Sequence, residues 1–167
     1  MDQHLIIAPH PDDEIIGCFN LLLHAKYKKV AVYYPFCIGD ELGIERAAKR
    51  FSFSVIRTLE TFQELIEQDR NQTHLYAPDV YFETHPEHRK WGFWAEQQYR
   101  RRFVSTLTFY STIMRAPYIF EVSVPRLKKD ALDKCYPEKQ SLWDSDHRYF
   151  LFEGMCQWKN PNYEGES

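Results

Sequence analysis

Short apolar or β-branched runs alternate with segments of helical spacing, and this alternation narrows the possible folds more than any other feature of the chain. His4 to Ala8, Val30 to Pro35, Phe53 to Leu59 and Val80 to Phe82 read as strands. Asp13 to Lys26, Ile44 to Phe51 and Thr61 to Gln68 read as helices. Ile44, Ala47, Ala48 and Phe51 share one helical face, as do Phe62, Leu65 and Ile66. A β-α-β-α-β-α-β order calls for crossover connections, which are nearly always right-handed. It predicts an α/β fold with a mostly parallel sheet covered on both faces. Further on, Trp94 to Phe103 has helical character, Leu107 to Ile113 and Tyr118 to Val124 read as later strands, and Lys128 to Tyr136 reads as a helix. With no repeat, low-complexity segment or interior linker, one domain over residues 1–159 is the simplest account. The polar stretch 160–167, with Pro and Gly, reads as a frayed tail.

Composition excludes several classes. At 44% hydrophobic and 16% aromatic over 167 residues, the chain has enough apolar material for a core and does not read as disordered. A net charge of -3 gives no general attraction for nucleic acid or anionic membrane, although net charge alone does not exclude nucleic acid. The run Arg100-Arg101-Arg102 reads as a solvated helix face. No apolar run reaches the length of a membrane span, and the N-terminus leads straight into a strand with no signal-peptide pattern. Cys18, Cys37, Cys135 and Cys156 form no C-x-x-C pair, and Cys18 falls on the apolar side of the first helix. Free thiols in a reducing cytoplasm are the expectation. Oligomeric state is not encoded legibly.

The chemistry concentrates on two turns. Between the first strand and first helix lies Pro9-His10-Pro11-Asp12-Asp13-Glu14: one imidazole and three carboxylates within five residues, stiffened by two prolines. Helix capping accounts for one or two acids at a helix start. It does not account for three acids and a histidine, which need a counter-charge. Ligands of open α/β sheets bind where strands end and helices begin. The fourth predicted strand leads into Glu83-Thr84-His85-Pro86-Glu87-His88, a second proline-bearing turn with two histidines. His10 and Asp13 are three apart, as are His85 and His88, and such pairs can point the same way where a turn opens a helix. Two imidazoles and one carboxylate with a fourth position for water make a catalytic rather than a structural zinc site. Iron(II) or cobalt fits the same ligands. Asp144-Ser145-Asp146-His147 also mixes acid and histidine, but without a second histidine or a preceding strand it reads as a polar loop.

Ala8-Pro9-His10-Pro11-Asp12-Asp13-Glu14 resembles the signature of the LmbE/PIG-L family of zinc-dependent deacetylases, and His85-Pro86-Glu87-His88 is similar to its second motif, with Glu where Asp is commoner. Lys128-x-x-Ala131-Leu132-x-x-x-Tyr136-x-x-x-Gln140 is similar to the family's late segment, and Glu45-Arg46-Ala47-Ala48 to its second helix. The resemblance runs from about Leu5 to Gln140. It implies a Rossmann-like three-layer α/β fold. It implies His10, Asp13 and His88 as zinc ligands, Asp12 as general base, and protonated His85 beside the reacting carbonyl. Glu14 and Glu87 would support these groups from behind, Glu87 orienting a neighbouring histidine. The implied activity is removal of an N-acetyl or other N-acyl group from a small or glycoconjugate substrate containing an amino sugar. Compact loops after the second and fourth strands imply an open site within reach of a polymeric substrate. Hydrolysis of another amide or ester, as in an acylated nucleoside, and a non-catalytic binding module of the same fold are the alternatives.

Overall fold

The computed structural model describes residues 2–36, 39–113 and 118–159. Seven strands form one sheet: β1 (Gln3–Ile7), β2 (Lys29–Tyr33), β3 (Ser54–Ile56), β4 (Thr73–Pro78), β5 (Thr106–Ser111), β6 (Tyr118–Glu121) and β7 (Phe152–Lys159). Their order is β3-β2-β1-β4-β5-β7-β6. The first five are parallel; β7 runs antiparallel to β5 and to β6. The helices are α1 (Asp13–Leu22), α2 (Glu41–Phe51), α3 (Leu59–Gln68), α4 (Pro86–Arg100), α5 (Pro125–Cys135), α6 (Gln140–Ser145) and α7 (Arg148–Leu151). The mostly parallel three-layer α/β architecture read from the alternation is the one observed.

β1 lies inside the sheet, between β2 and β4, with every residue buried, and its Leu5-Ile6-Ile7 form an apolar run as expected of a strand covered on both faces. Its side chains alternate between faces. Ile6 and Ala8 join the layer built on Ile15, Phe19, Ile44, Ala47, Ala131 and Leu132 of α1, α2 and α5. Leu5 and Ile7 join Phe62, Ile66, Trp91 and Ala95 of α3 and α4. From β1 the chain builds β2 and β3 to one side, then crosses to β4 on the other. The strand order therefore reverses between β1 and β4. The crevice beyond their carboxyl ends is the expected ligand site, and both histidine-bearing turns open there.

Several elements differ from the sequence reading. The fourth strand is Thr73–Pro78, not Val80 to Phe82. The Asp79 carboxylate accepts the backbone N–H groups of Tyr81 (2.7 Å) and Phe82 (3.1 Å), folding that segment into a turn. The following helix starts at Pro86 rather than Trp94, so the second histidine pair lies on a helix N-terminus. β7 was not predicted: it buries Glu153, and a charged residue pointing inward breaks the alternation that marks a strand. Helix α1 ends at Leu22, with a 3-10 turn at Ala25–Tyr27 instead of the predicted continuation to Lys26. It also leaves helical geometry at Cys18 (φ -132°, ψ 25°). There Lys128 Nζ donates to the Ile16 carbonyl (2.6 Å) and the Asn20 N–H donates to Glu153 Oε1 (3.2 Å). An unbroken helix would join those two backbone groups to each other. The two charged partners, both fully buried, are 3.8 Å apart.

Glycine sets the approach of α4 to the sheet. A Cβ on Gly92 would lie 2.5 Å from the Pro78 carbonyl oxygen, a backbone atom at the end of β4. The predicted tail, 160–167, and Cys37 lie outside the described residues. Cys18, Cys135 and Cys156 are free thiols, and Cys18 is buried as expected. Among the described residues, no helix is long and apolar enough to cross a membrane.

Candidate metal centre

The first turn is held in an uncommon shape. Asp12 precedes α1 in left-handed geometry (φ 108°, ψ -26°), costly for a residue with a Cβ. Local bonds maintain it. The Asp12 N–H donates to Glu14 Oε2 (3.1 Å), and its carbonyl accepts the N–H groups of Ile15 and Ile16 (both 2.9 Å). The His10 N–H donates to Asp13 Oδ2 (2.8 Å), pinning that carboxylate beside the His10 ring. The Asp12 side chain caps nothing; it faces the cleft, where Lys139 Nζ lies 3.2 Å from Oδ2. The capping account of these acids thus fails for Asp12.

The second turn reaches the same point from β4. His85 is the N-cap of α4, its Nδ1 accepting the Glu87 N–H (3.3 Å), with Pro86 at the first helical position. His88 follows in the first turn and is buried. Its Nδ1 lies 3.2 Å from Glu83 Oε2, and Glu83 Oε1 accepts the N–H (2.5 Å) and hydroxyl (3.0 Å) of Thr112, just beyond β5. A carboxylate behind one ring nitrogen leaves the other to face the site, the usual support of a metal-binding histidine.

The two turns converge. His88 Nε2 is 3.0 Å from His10 Nδ1 and 3.1 Å from Asp13 Oδ2, and His10 Nδ1 is 3.5 Å from the same oxygen. His10, His85 and His88 each offer a nitrogen, all within 4.8 Å of one another. The His85 ring stands edge-on to His10, with centroids 4.7 Å apart. The expected ligands His10, Asp13 and His88 are therefore together, and His85 is a fourth donor beside them. Such a mixture of imidazoles and one carboxylate fits a divalent first-row metal.

Charge explains which groups carry protons. Burial opposes protonation of His88, but Asp13 and Glu83 on its two sides overcome it and raise its pKa to about 10. Burial likewise would raise Asp13, yet His88 and the bonds from His10 hold it well below the usual carboxylate range. Asp12 is pushed up by burial and by Asp13, with Lys139 opposing. Glu14, fully buried and accepting the Tyr136 hydroxyl (2.7 Å), is raised by burial to about 7. His85 is lowered, by partial burial and by His10 and His88. This environment works against the expected imidazolium at His85, with Asp13 and Glu87 opposing. Its Nδ1 is an acceptor, which puts the proton of the neutral ring on Nε2.

Glu87 does not take the place expected for it. Its backbone N–H serves His85, while its Oε2 lies 3.7 Å from Lys90 Nζ. Glu83 is the carboxylate that orients a histidine. Sequence reasoning quoted Glu83 in the second turn but gave it no role; its signal was an acid five residues before His88. Thr112 and Lys139 had no local signal. Asp144-Ser145-Asp146-His147, expected as a polar loop, instead comprises the end of α6 and the short link to α7, where Asp146 pairs with Arg148 (3.0 Å to Nε); Arg100 leans on Glu96.

The donors line an open cleft of about 380 Å³, whose other wall is formed by Ile16, Ile113, Leu142 and Tyr149. No family model matches the sequence, and no curated protein does. Solved structures do match. N,N'-diacetylchitobiose deacetylase from Pyrococcus horikoshii is similar at TM-score 0.62 and 16% identity, over 95% of this chain and 84% of that one. The zinc-inhibited form of teicoplanin deacetylase gives 0.59 and 9%, over 96% and 99%. The 4-carboxy-2-hydroxymuconate hydratase from Pseudomonas putida gives 0.66 and 14%, over the full length of both chains. At these identities the likeness is one of fold, a fold shared by two deacetylases and a hydratase.

Proposed function

We propose that this chain is a metal-dependent N-deacetylase acting on an amino-sugar-containing substrate. The observation that carries the reading is the convergence of His10, Asp13 and His88 on one point, with Asp12 on the same turn facing the cleft. His10, Asp13 and His88 would hold the cation, zinc by preference and iron(II) or cobalt as substitutes. Bound there, it supplies Lewis-acid polarisation of a carbonyl and acidification of water.

Asp12 accepts the proton of the attacking water. It is not engaged in capping, and its carboxylate stands beside the cluster rather than inside it. His85, with Nδ1 occupied by the Glu87 N–H, donates from Nε2 toward the oxygen that gains charge. The departing nitrogen needs a proton, because an amide anion is a poor leaving group, and Asp12 holds one after the first step. Glu83 and Thr112 keep His88 in its orientation, and Glu14 with Tyr136 supports the Asp12 N–H from behind. The apolar wall of Ile16, Ile113, Leu142 and Tyr149 offers a surface for the acyl methyl and the face of a sugar ring. The names of two fold neighbours, a chitobiose deacetylase and a teicoplanin deacetylase, favour this class.

The hydratase neighbour motivates a second reading, addition of water to an unsaturated carboxylate. The cleft weighs against it. Its lining carries Asp12, Asp13 and Glu83, and its one lysine is engaged by Asp12. The test is acetate release from N-acetylglucosamine, N,N'-diacetylchitobiose and an acetylated nucleoside, with simple esters as controls. The protein is stripped with chelator and reloaded with zinc, iron(II) or cobalt. Zinc-dependent acetate release from the sugars is expected. Activity confined to esters or nucleosides, or muconate hydration without acetate release, would overturn the assignment.

A further inference from the structure

Lys139 reaches the first turn from far along the chain. It closes the 3-10 turn Pro137–Lys139 after α5, and its Nζ donates to the Pro11 carbonyl while lying 3.2 Å from Asp12 Oδ2. Asp40 Oδ2 stands 3.9 Å away on another side of the ammonium. The other hydrogen bonds described for Pro11 and Asp12 come from residues 14–16. Those bonds fix the backbone of Asp12 but none touches its carboxylate. A left-handed non-glycine residue persists only where its surroundings over-determine it. Lys139 is the group that fixes both the peptide entering this residue and the side chain leaving it.

We propose that Lys139 is a positioning residue for Asp12. One ammonium holds the Pro11 peptide plane and the Asp12 carboxylate together, so the acid stays aimed across the cleft instead of turning to cap α1. An ammonium suits this task because its donors diverge from one nitrogen toward two acceptors. The consequence for catalysis rests on the reading of Asp12 as general base; the consequence for its conformation does not. Lys139 is three-quarters covered along its side chain and already engaged by protein oxygens, which argues against its being a substrate contact.

The experiment compares Lys139→Met and Lys139→Arg with the zinc-loaded wild type, each checked by thermal melting and metal content. A crystal structure of Lys139→Met is expected to show the Asp12 carboxylate turned out of the cleft with one metal still bound. In kinetics, kcat should fall about 10- to 100-fold with KM nearly unchanged, as for a reacting group misplaced by about 1 Å. Lys139→Arg should recover part of the loss. In the Asp12→Asn background, Lys139→Met should cost nothing further, because its effect passes through Asp12. An unmoved Asp12 in the Lys139→Met crystal would overturn the proposal, as would a raised KM at unchanged kcat or an additive loss in the double variant. If Lys139→Met does not fold, Lys139→Gln carries the same measurements. Absence of deacetylase activity in the wild type would remove the proposed function, yet the crystallographic arm would still decide whether Lys139 holds Asp12.

Discussion

His88 stands between two carboxylates, Asp13 at 3.1 Å and Glu83 at 3.2 Å, and in the protein alone it keeps its proton to about pH 10. A group whose pKa is raised by folding contributes stability that is complete below its unfolded value, near 6.5, and is lost as pH climbs to the folded value. Chelator-treated protein should therefore lose melting temperature as pH rises from about 7 to 10, and Glu83→Gln should flatten that slope. Metal competes for the same nitrogen, so zinc binding should release protons across this range. Calorimetry in buffers of different ionisation enthalpy counts them; zero release would remove His88 from the ligand set. Asp12 gives a second expectation. Asp12→Asn should retain metal and lose about 100- to 10,000-fold in rate, the share of a general base. Loss of metal in that variant would make Asp12 a ligand. At this scale the sequence was readable where chemistry is local: His10, Asp12, Asp13 and Glu14 lie on one turn, and His85 and His88 on another. It was silent on Thr112 and Lys139, which are brought in by elements 24 and 128 positions removed from their partners, His88 and Pro11. The misassigned Glu87 shows a related limit. Proximity in sequence favoured it over Glu83, but at a helix N-terminus Glu87 presents its backbone, not its carboxylate, to the histidine.

Helix α4 carries two of the cluster's donors, and its position depends on Gly92. Glycine in a helix interior ordinarily costs up to about 1 kcal/mol relative to alanine, so Gly92→Ala should stabilise if the site were open. Here the new methyl meets the Pro78 carbonyl at 2.5 Å, and a backbone atom cannot step aside cheaply. Gly92→Ala should instead destabilise by about 1–3 kcal/mol, in the range of overpacking, and weaken metal binding by shifting His85 and His88 off the end of β4. Urea unfolding and a zinc titration would read both; a more stable variant with unchanged metal affinity would show that α4 can slide. The same element explains an error of reading. Val80, Tyr81 and Phe82 have strand composition, but two N–H groups bound to the Asp79 carboxylate spend the donors a ladder would need. β4 was hidden because His74 and Tyr76 interrupt its apolar pattern, and both are only half-buried on the sheet.

Across the whole molecule, the crevice follows from strand order. β1 is hydrogen-bonded to β2 on one side and β4 on the other, and the chain reverses its direction of growth between them. Amides of β1 and β4 should therefore exchange most slowly, opening only with global unfolding, whereas β3 and β6 at the two edges should exchange earlier. Hydrogen-exchange mass spectrometry resolves this, and faster exchange in β1 than in β3 would contradict the central placement. Parallel order was legible because each strand of the first half is followed by its own helix. The antiparallel return of β7 was not, since the buried Glu153 interrupts the apolar residues Phe152, Met155, Cys156 and Trp158 with which the strand packs on the core. The buried Lys128–Glu153 contact interrupts α1 at Cys18: the piece bearing Asp13 and Glu14 is moored to α5 through Lys128, and the piece beyond the break is moored to β7 through Glu153. Strain applied at Leu21 or Leu22 should dissipate at that break before reaching the acids. A disturbance at Glu153, far off in sequence, should reach them by another route, through Lys128 and the Ile16 carbonyl that it holds.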